Sequence, residues 1–302
     1  GMVPNYRDPM VLHKDSQGRE DYHDRGPKTL LNGVQLPGGQ PADQELNAAI
    51  DNIADHPNVA PFISKQLIQH LVTSNPSAAY VQRIASVFVA TRTSATQLFE
   101  VVRAILLDPD ARGDSQAPSV APTYGKLREP VQFITNVLRA FNAQSDGVLD
   151  SLNVGGSPIG SADMNQDVFN APSVFSFYPP TARVPGESVL GPQFVLFSSL
   201  TSLRRDNFIN RVIFSTIPAA PPNRPSGTSI DLSPWIPLAN DPNSLIETLN
   251  QMLLHGTMSD DMRQSVMTAV TSIPASNDSN RRMRVQTAIY LILTSSQYQV
   301  QR

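Results

Sequence analysis

The stretch Asn58–Thr91, NVAPFISKQLIQHLVTSNPSAAYVQRIASVFVAT, decides the fold. In its first half Val59, Phe62, Ile63, Leu67, Ile68, Leu71 and Val72 fall at three- and four-residue steps. In its second half Tyr80, Val81, Ile84, Val87 and Phe88 do the same. That period describes one face of an α-helix and not the alternation of a strand. Asn58 is placed to cap the first helix, and Pro61 sits in its first turn, where a missing N–H costs nothing. Asn75 is placed to cap the second, with Pro76 at the first helical position. The short Ser74–Ser77 joint predicts an antiparallel helical hairpin.

The same period recurs on both sides. Pro41–Ala54 reads as a helix with Leu46, Ala49, Ile50 and Ile53 inward, and Ser94–Leu107 as one burying Leu98, Val101, Val102, Ile105 and Leu106. Glu129–Phe141 follows, then a helix opened by Pro192 and running to Phe214. Three helices close the chain at Pro242–His255, Ser259–Ser272 and Ser279–Ser295, punctuated by Gly256 and Pro274. Near the start, Asn32-Gly33 inside Lys28–Leu36 is a hairpin-turn dipeptide. The expectation is an all-α protein, a multi-helix orthogonal and antiparallel bundle with a small N-terminal β-hairpin and long Pro-rich loops. Residues 1–40 form a turn and hairpin segment and 41–302 a single helical domain. Within it, lobes 41–143 and 187–302 are joined by a packed loop, 144–186, whose aromatic residues Phe169, Phe175, Phe177 and Tyr178 point to a buried plug.

Composition bounds the function. The chain has 302 residues, 16% charged, with a net charge of −3 and no cysteine. The charge leaves no basic footprint for nucleic acid. The absence of thiols excludes disulfides, thiolate metal sites and thiol nucleophiles. No run of apolar residues is long enough to span a membrane. The N-terminus lacks the pattern of a signal peptide, and Gly1 before Met2 reads as an expression remnant. The 26 prolines cluster between the apolar-periodic segments and mark stiffened connections.

Several segments carry a family likeness. They are His56-Pro57-Asn58 with Ala60-Pro61-Phe62-Ile63, Leu67–Pro76, His23-Asp24-Arg25-Gly26-Pro27-Lys28-Thr29, Glu129-Pro130-Val131-Gln132-Phe133, Ala171–Tyr178 and Leu293–Arg302. In this order and wording the chain resembles the bacterial family of domain of unknown function 1800 (DUF1800). The resemblance implies a mainly helical, exported protein, and no particular activity. It also implies a further helical portion preceding this region in a typical member, whose C-terminal half this chain resembles.

Candidate chemistry is sparse. His23 and Asp24 form a His–carboxylate pair, and Lys28 beside them offers a charge to an anion. Gly26-Pro27-Lys28-Thr29 fails as a phosphate loop because Pro27 separates glycine from lysine. The five histidines show no metal-binding spacing, so no metal and no cofactor is expected. Asp108–Gly113 and Asp163–Val168 begin like calcium loops and then lose the required ligands or glycine, which leaves turn chemistry. Gly155-Gly156-Ser157 lacks both the strand and the spacing of a nucleophile elbow. Phe175, Phe177 and Tyr178, with Trp235, offer an aromatic surface for a sugar or peptide, against a reading as core. Arg281, Arg282 and Arg284 oppose their helix dipole and call for acidic partners or an anion.

The reading favours a non-enzymatic helical interaction or scaffold module of an exported bacterial protein, periplasmic or extracellular. It works through a protein partner or self-association, with no nucleic acid and no membrane span. The alternatives are a hydrolase using the His/Asp site and a carbohydrate-binding module using the aromatic loop.

Overall fold

The computed structural model describes residues 11–20, 22–112, 124–149, 159–174 and 176–301. Lys28–Thr29 (β1) and Gln35–Leu36 (β2) pair antiparallel, with Lys28 opposite Leu36. Asn32 and Gly33 take positive φ at 59° and 75°, the conformation that selects an Asn-Gly turn. Helices follow at Ala42–Ala54 (α1), Val59–Leu71 (α2), Ala78–Ala90 (α3), Gln97–Leu107 (α4) and Pro109–Arg112 (α5). Lys126–Leu127 (β3) leads into Pro130–Ala140 (α6), and Gln144–Ser145 (β4) follows. After a long connection come Ser199–Phe214 (α7), Thr228–Ser229 (β5), Pro242–Leu254 (α8), Asp260–Thr271 (α9), Asp278–Thr294 (α10), Ser296–Gln299 (α11) and Val300–Gln301 (β6). β3 pairs with β6 and β4 with β5, both antiparallel. The protein is mostly α-helical, and among the described residues the sheets are all two-stranded, including a small N-terminal hairpin.

The chain divides into two compact units. The first comprises Gly1–Leu67 and Ala78–Ala104, and the second Ile68–Ser77 and Ile105–Arg302. The division differs from lobes at 41–143 and 187–302. The 144–186 connection belongs to the second unit, tied down by polar side chains. Gln69 Nε2 donates to the Pro180 carbonyl at 3.2 Å, and Arg204 donates to the Asp163 carbonyl.

In the first unit Tyr80, Ile84 and Val101 are the most enclosed apolar side chains. Asp55 pairs with Arg92, and Gln97 Nε2 donates to the Phe88 carbonyl at 2.8 Å. Several positions read as inward lie outward: Leu46, Ile50 and Ile53 on α1, Phe62 on α2 and Leu98 on α4. α1 instead buries Ala42 and Glu45. Periodicity identifies the apolar side of a helix, but packing decides whether that side is covered.

The second unit holds the main core. α10 is central and packs on α7, α8 and α9 through Val285, Ala288, Ile289 and Ile292. Phe133 of α6 meets Phe208 of α7 and Tyr298 of α11 edge to face. The predicted helix at Pro192 is a short 3-10 turn, Pro192–Leu196, and α7 starts only at Ser199. Ser198 starts it because it caps, accepting from the Thr201 N–H while the Thr201 hydroxyl accepts from its own. Asn75 does not cap α3. Its side chain donates to the Leu190 carbonyl at 2.6 Å and accepts from the Leu190 N–H at 2.9 Å. Leu106 of α4 is likewise exposed.

Candidate functional site

Two clusters take up the residues that carry the chemistry, one in each unit. In the first unit His23 meets not Asp24 but Glu45, 22 residues on. Its Nε2 lies 2.8 Å from Glu45 Oε2. Lys28 Nζ reaches the same oxygen at 2.6 Å and donates also to the carbonyls of Asp24 and Gly26. An ammonium has three donors, and here all three are used. Glu20 completes the group: its Oε2 lies 3.4 Å from His23 Nδ1 and accepts from the Ala42 N–H at 3.1 Å. Glu45 is buried, and its carboxyl is held below the usual carboxylate range by Lys28 first and His23 second. Asp24 turns aside and accepts from the Gly26 N–H at 2.9 Å, which with Lys28 nearby lowers its carboxyl too. Of the sequence candidates, His23 and Lys28 meet on Glu45, a residue the sequence reading did not single out, and the Asp24 carboxylate stands apart. A lone glutamate in the first turn of a helix gives no signal of a partner 22 positions earlier.

This cluster fastens the N-terminal segment to α1. Asn52, seven residues after Glu45, makes a second fastening: its Oδ1 accepts from the Leu31 N–H at 3.0 Å and its Nδ2 donates to the Leu31 carbonyl at 3.3 Å. Glu45 and Asn52 lie on one side of the helix. Leu46, one step on from Glu45, is turned by about 100°. Leu46, Ile50 and Ile53 therefore form an adjoining row, and each is more than half exposed, at 56%, 53% and 56%.

In the second unit Tyr178 donates its hydroxyl to Glu129 Oε1 at 2.6 Å. Gln166 donates to Glu129 Oε2 at 2.5 Å and accepts from the Val131 N–H at 2.9 Å, which closes the N-terminus of α6. Tyr178 stacks on His70 with ring centroids 5.9 Å apart, and the His70 carbonyl accepts from the buried Lys126 ammonium. Burial pushes the Lys126 ammonium down, against the pull of Glu129, and pushes the Tyr178 hydroxyl up, with Glu129 adding to it. Arg128 and Arg205 lie beside this network. Arg205 forks between Gln299 Oε1 at 2.7 Å and the Arg128 carbonyl at 2.8 Å, and burial holds its guanidinium down to about 10.

The other aromatic candidates do not join Tyr178 in one strip. Trp235 packs edge to face on Phe141, 5.1 Å between centroids, against the main core. Phe177 is partly buried, and Phe169 of the same connection is fully exposed rather than part of a plug. Phe175 and Gly155-Gly156-Ser157 lie outside the described residues. Of the arginine run, Arg281 pairs with Asp278. Arg284 donates to the carbonyls of Ile273 and Ala239, at 2.6 and 2.8 Å. Asp108, Asp163 and Asp167 accept from nearby groups of their own turns, Asp110 N, Gly160 N and Asn170 Nδ2. Among the described residues no three His, Asp or Glu side chains are grouped to hold a metal ion. No helix among them is long and apolar enough to cross a membrane.

Fold and clusters define a mainly helical protein tied together by buried polar staples. Residues 7–300 match the model of the family described as protein of unknown function (DUF1800), and the chain belongs to that family. No curated protein and no solved structure matches it.

Proposed function

We propose that the chain is a non-enzymatic helical interaction module of an exported bacterial protein, periplasmic or extracellular, and that it self-associates through the outer row of α1. The observation that carries this reading is the exposure of Leu46, Ile50 and Ile53 beside a polar strip that already holds the N-terminal segment. Their four- and three-residue spacing is that of a coiled-coil seam. Under a two-fold axis an antiparallel copy sets Ile50 against Ile50 and Leu46 against Ile53, so the row is complementary to itself. Ala49 and Ala54 flank it and let the helices approach. Export is what the family resemblance read in the sequence implies, and a thiol-free chain is compatible with an oxidising compartment.

A hydrolase reading has less support, since both His23 Nε2 and Lys28 Nζ are engaged by Glu45. Sedimentation velocity tests the proposal. The unmodified chain is expected as a dimer at micromolar concentration, and L46D/I50D as a folded monomer. A monomeric unmodified chain would falsify the reading.

A further inference from the structure

The second unit contains a cavity of about 420 Å³ that none of the staples above uses. Its walls are the end of α8 with the turn into α9, and the α11–β6 segment that closes the fold. Leu253, Leu254 and Val300 line it as apolar groups, Ser259 and Ser296 as hydroxyls, and Arg128 as its one permanent charge. A volume of this size falls within the usual range of roughly 300–1,000 Å³ for small-molecule sites.

Arg128 is the unusual member. It is 7% exposed, and Nη1 donates to the Tyr298 carbonyl at 2.9 Å while the guanidinium lies 4.2 Å over the Tyr298 ring. Nε is buried without a hydrogen-bond partner, and the guanidinium engages the Tyr298 side chain as well as its carbonyl. Among the described residues no carboxylate lies within ion-pair distance of it. Burial pushes this guanidinium down, against the pull of the Tyr298 side chain, and no carboxylate balances its charge. The Arg205 guanidinium donates to the Arg128 carbonyl and adds a second positive group behind it. No aspartate or glutamate lines the cavity. Gln297 does not fill the gap, because both ends of its amide are engaged by Ser259.

We infer that this cavity binds a small monocarboxylate with a short apolar chain. The carboxylate pairs with the Arg128 guanidinium in the cavity wall through a charge-assisted hydrogen bond, and Ser296 supplies a further hydroxyl donor. The chain lies along Leu253, Leu254 and Val300. A single guanidinium in the cavity wall matches a monoanion better than a phosphate dianion, which calls for several cations.

The test is calorimetric titration of the full chain with hexanoate, with hexanamide as the neutral analogue and inorganic phosphate as the alternative anion. Hexanoate is expected to bind saturably, and hexanamide at least about tenfold more weakly because it lacks the charge-assisted pair. R128K is expected to weaken hexanoate by a similar factor. Because Arg128 is buried and its replacement can disturb folding, S296W serves as a second variant. Ser296 is exposed at the rim, so the indole closes the cavity without entering the core, and hexanoate binding is expected to vanish with the helical spectrum unchanged. Equal binding of hexanoate and hexanamide, tighter binding of phosphate, unaltered binding in S296W, or no saturable hexanoate binding each overturns the inference.

Discussion

Tyr178 and Glu129, 49 residues apart, share a 2.6 Å hydrogen bond that joins the long connection to the start of α6. Tyr178 is buried, so its hydroxyl has no solvent to fall back on. Tyr178→Phe keeps the ring against His70 and removes only the donor. Leaving a carboxylate oxygen short of a partner is expected to cost about 1–3 kcal/mol. Urea unfolding checks this, and a midpoint equal to that of the unmodified protein would show that Gln166 alone suffices for Glu129.

Arg205 is almost wholly buried and supplies hydrogen bonds to Gln299 and to the Arg128 carbonyl. Arg205→Met preserves much of the stem that packs on Phe133 and Phe197 but strands both acceptors. Each stranded acceptor is expected to cost about 1–3 kcal/mol. Arg205→Lys should recover only part of this, since an ammonium lacks the planar fork. A lysine variant as stable as the original would count against the two-acceptor account.

The Glu45 carboxyl is lowered by Lys28 and His23, which sets the sign of an acid effect on the N-terminal fastening. With the detached carboxyl at its ordinary value and the attached one below it, the detached form binds more protons between the two. The fastening is therefore fully present above the ordinary value of 4.5 and weakens as pH falls through the depressed one. Limited proteolysis across this range, with an acid-stable protease, should show cleavage near residues 20–35 rising before global unfolding. Glu45→Gln should give the same susceptibility at neutral pH. Cleavage independent of pH in the unmodified chain would remove Glu45 from this role.

Gly227 has φ of +69°, and its N–H donates to Asp146 Oδ2 at 2.7 Å where β4 and β5 meet. A Cβ added there would collide with the Ile217 carbonyl oxygen and the backbone beyond it. Gly227→Ala is expected to destabilise by more than about 1 kcal/mol, since both conformation and space oppose it. A shift in melting temperature reads the effect, and Gly39→Ala is the control, with similar φ (+84°) but open space. Equal shifts in the two variants would mean that conformation alone decides the cost.

Ser198 starts α7 through a reciprocal pair with Thr201. Ser198→Ala is expected to cost about 1 kcal/mol, the usual worth of such a cap. Thermal unfolding followed by circular dichroism measures it. No change would mean that the Pro192–Leu196 turn before it fixes the helix start unaided.

The sequence alone determined the helices and the family. Periodic apolar residues marked α1 to α4, α6 and α8 to α10 because a helix sets its own repeat within a few turns, whatever it later packs against. The Asn32-Gly33 turn was legible for the same local reason, since few residues accept positive φ. The burial of those helices was not legible. Leu46, Ile50 and Ile53 were the inward face by pattern and are exposed, because α1 is held through Glu45 and Asn52 on its next side. The partners of the charged groups were equally hidden: Glu45 for His23, Tyr178 for Glu129, Gln299 for Arg205. Each pair is separated by 22 to 94 residues. Chain proximity carries no information at such separations, and only packing of the whole unit decides which charge meets which acceptor.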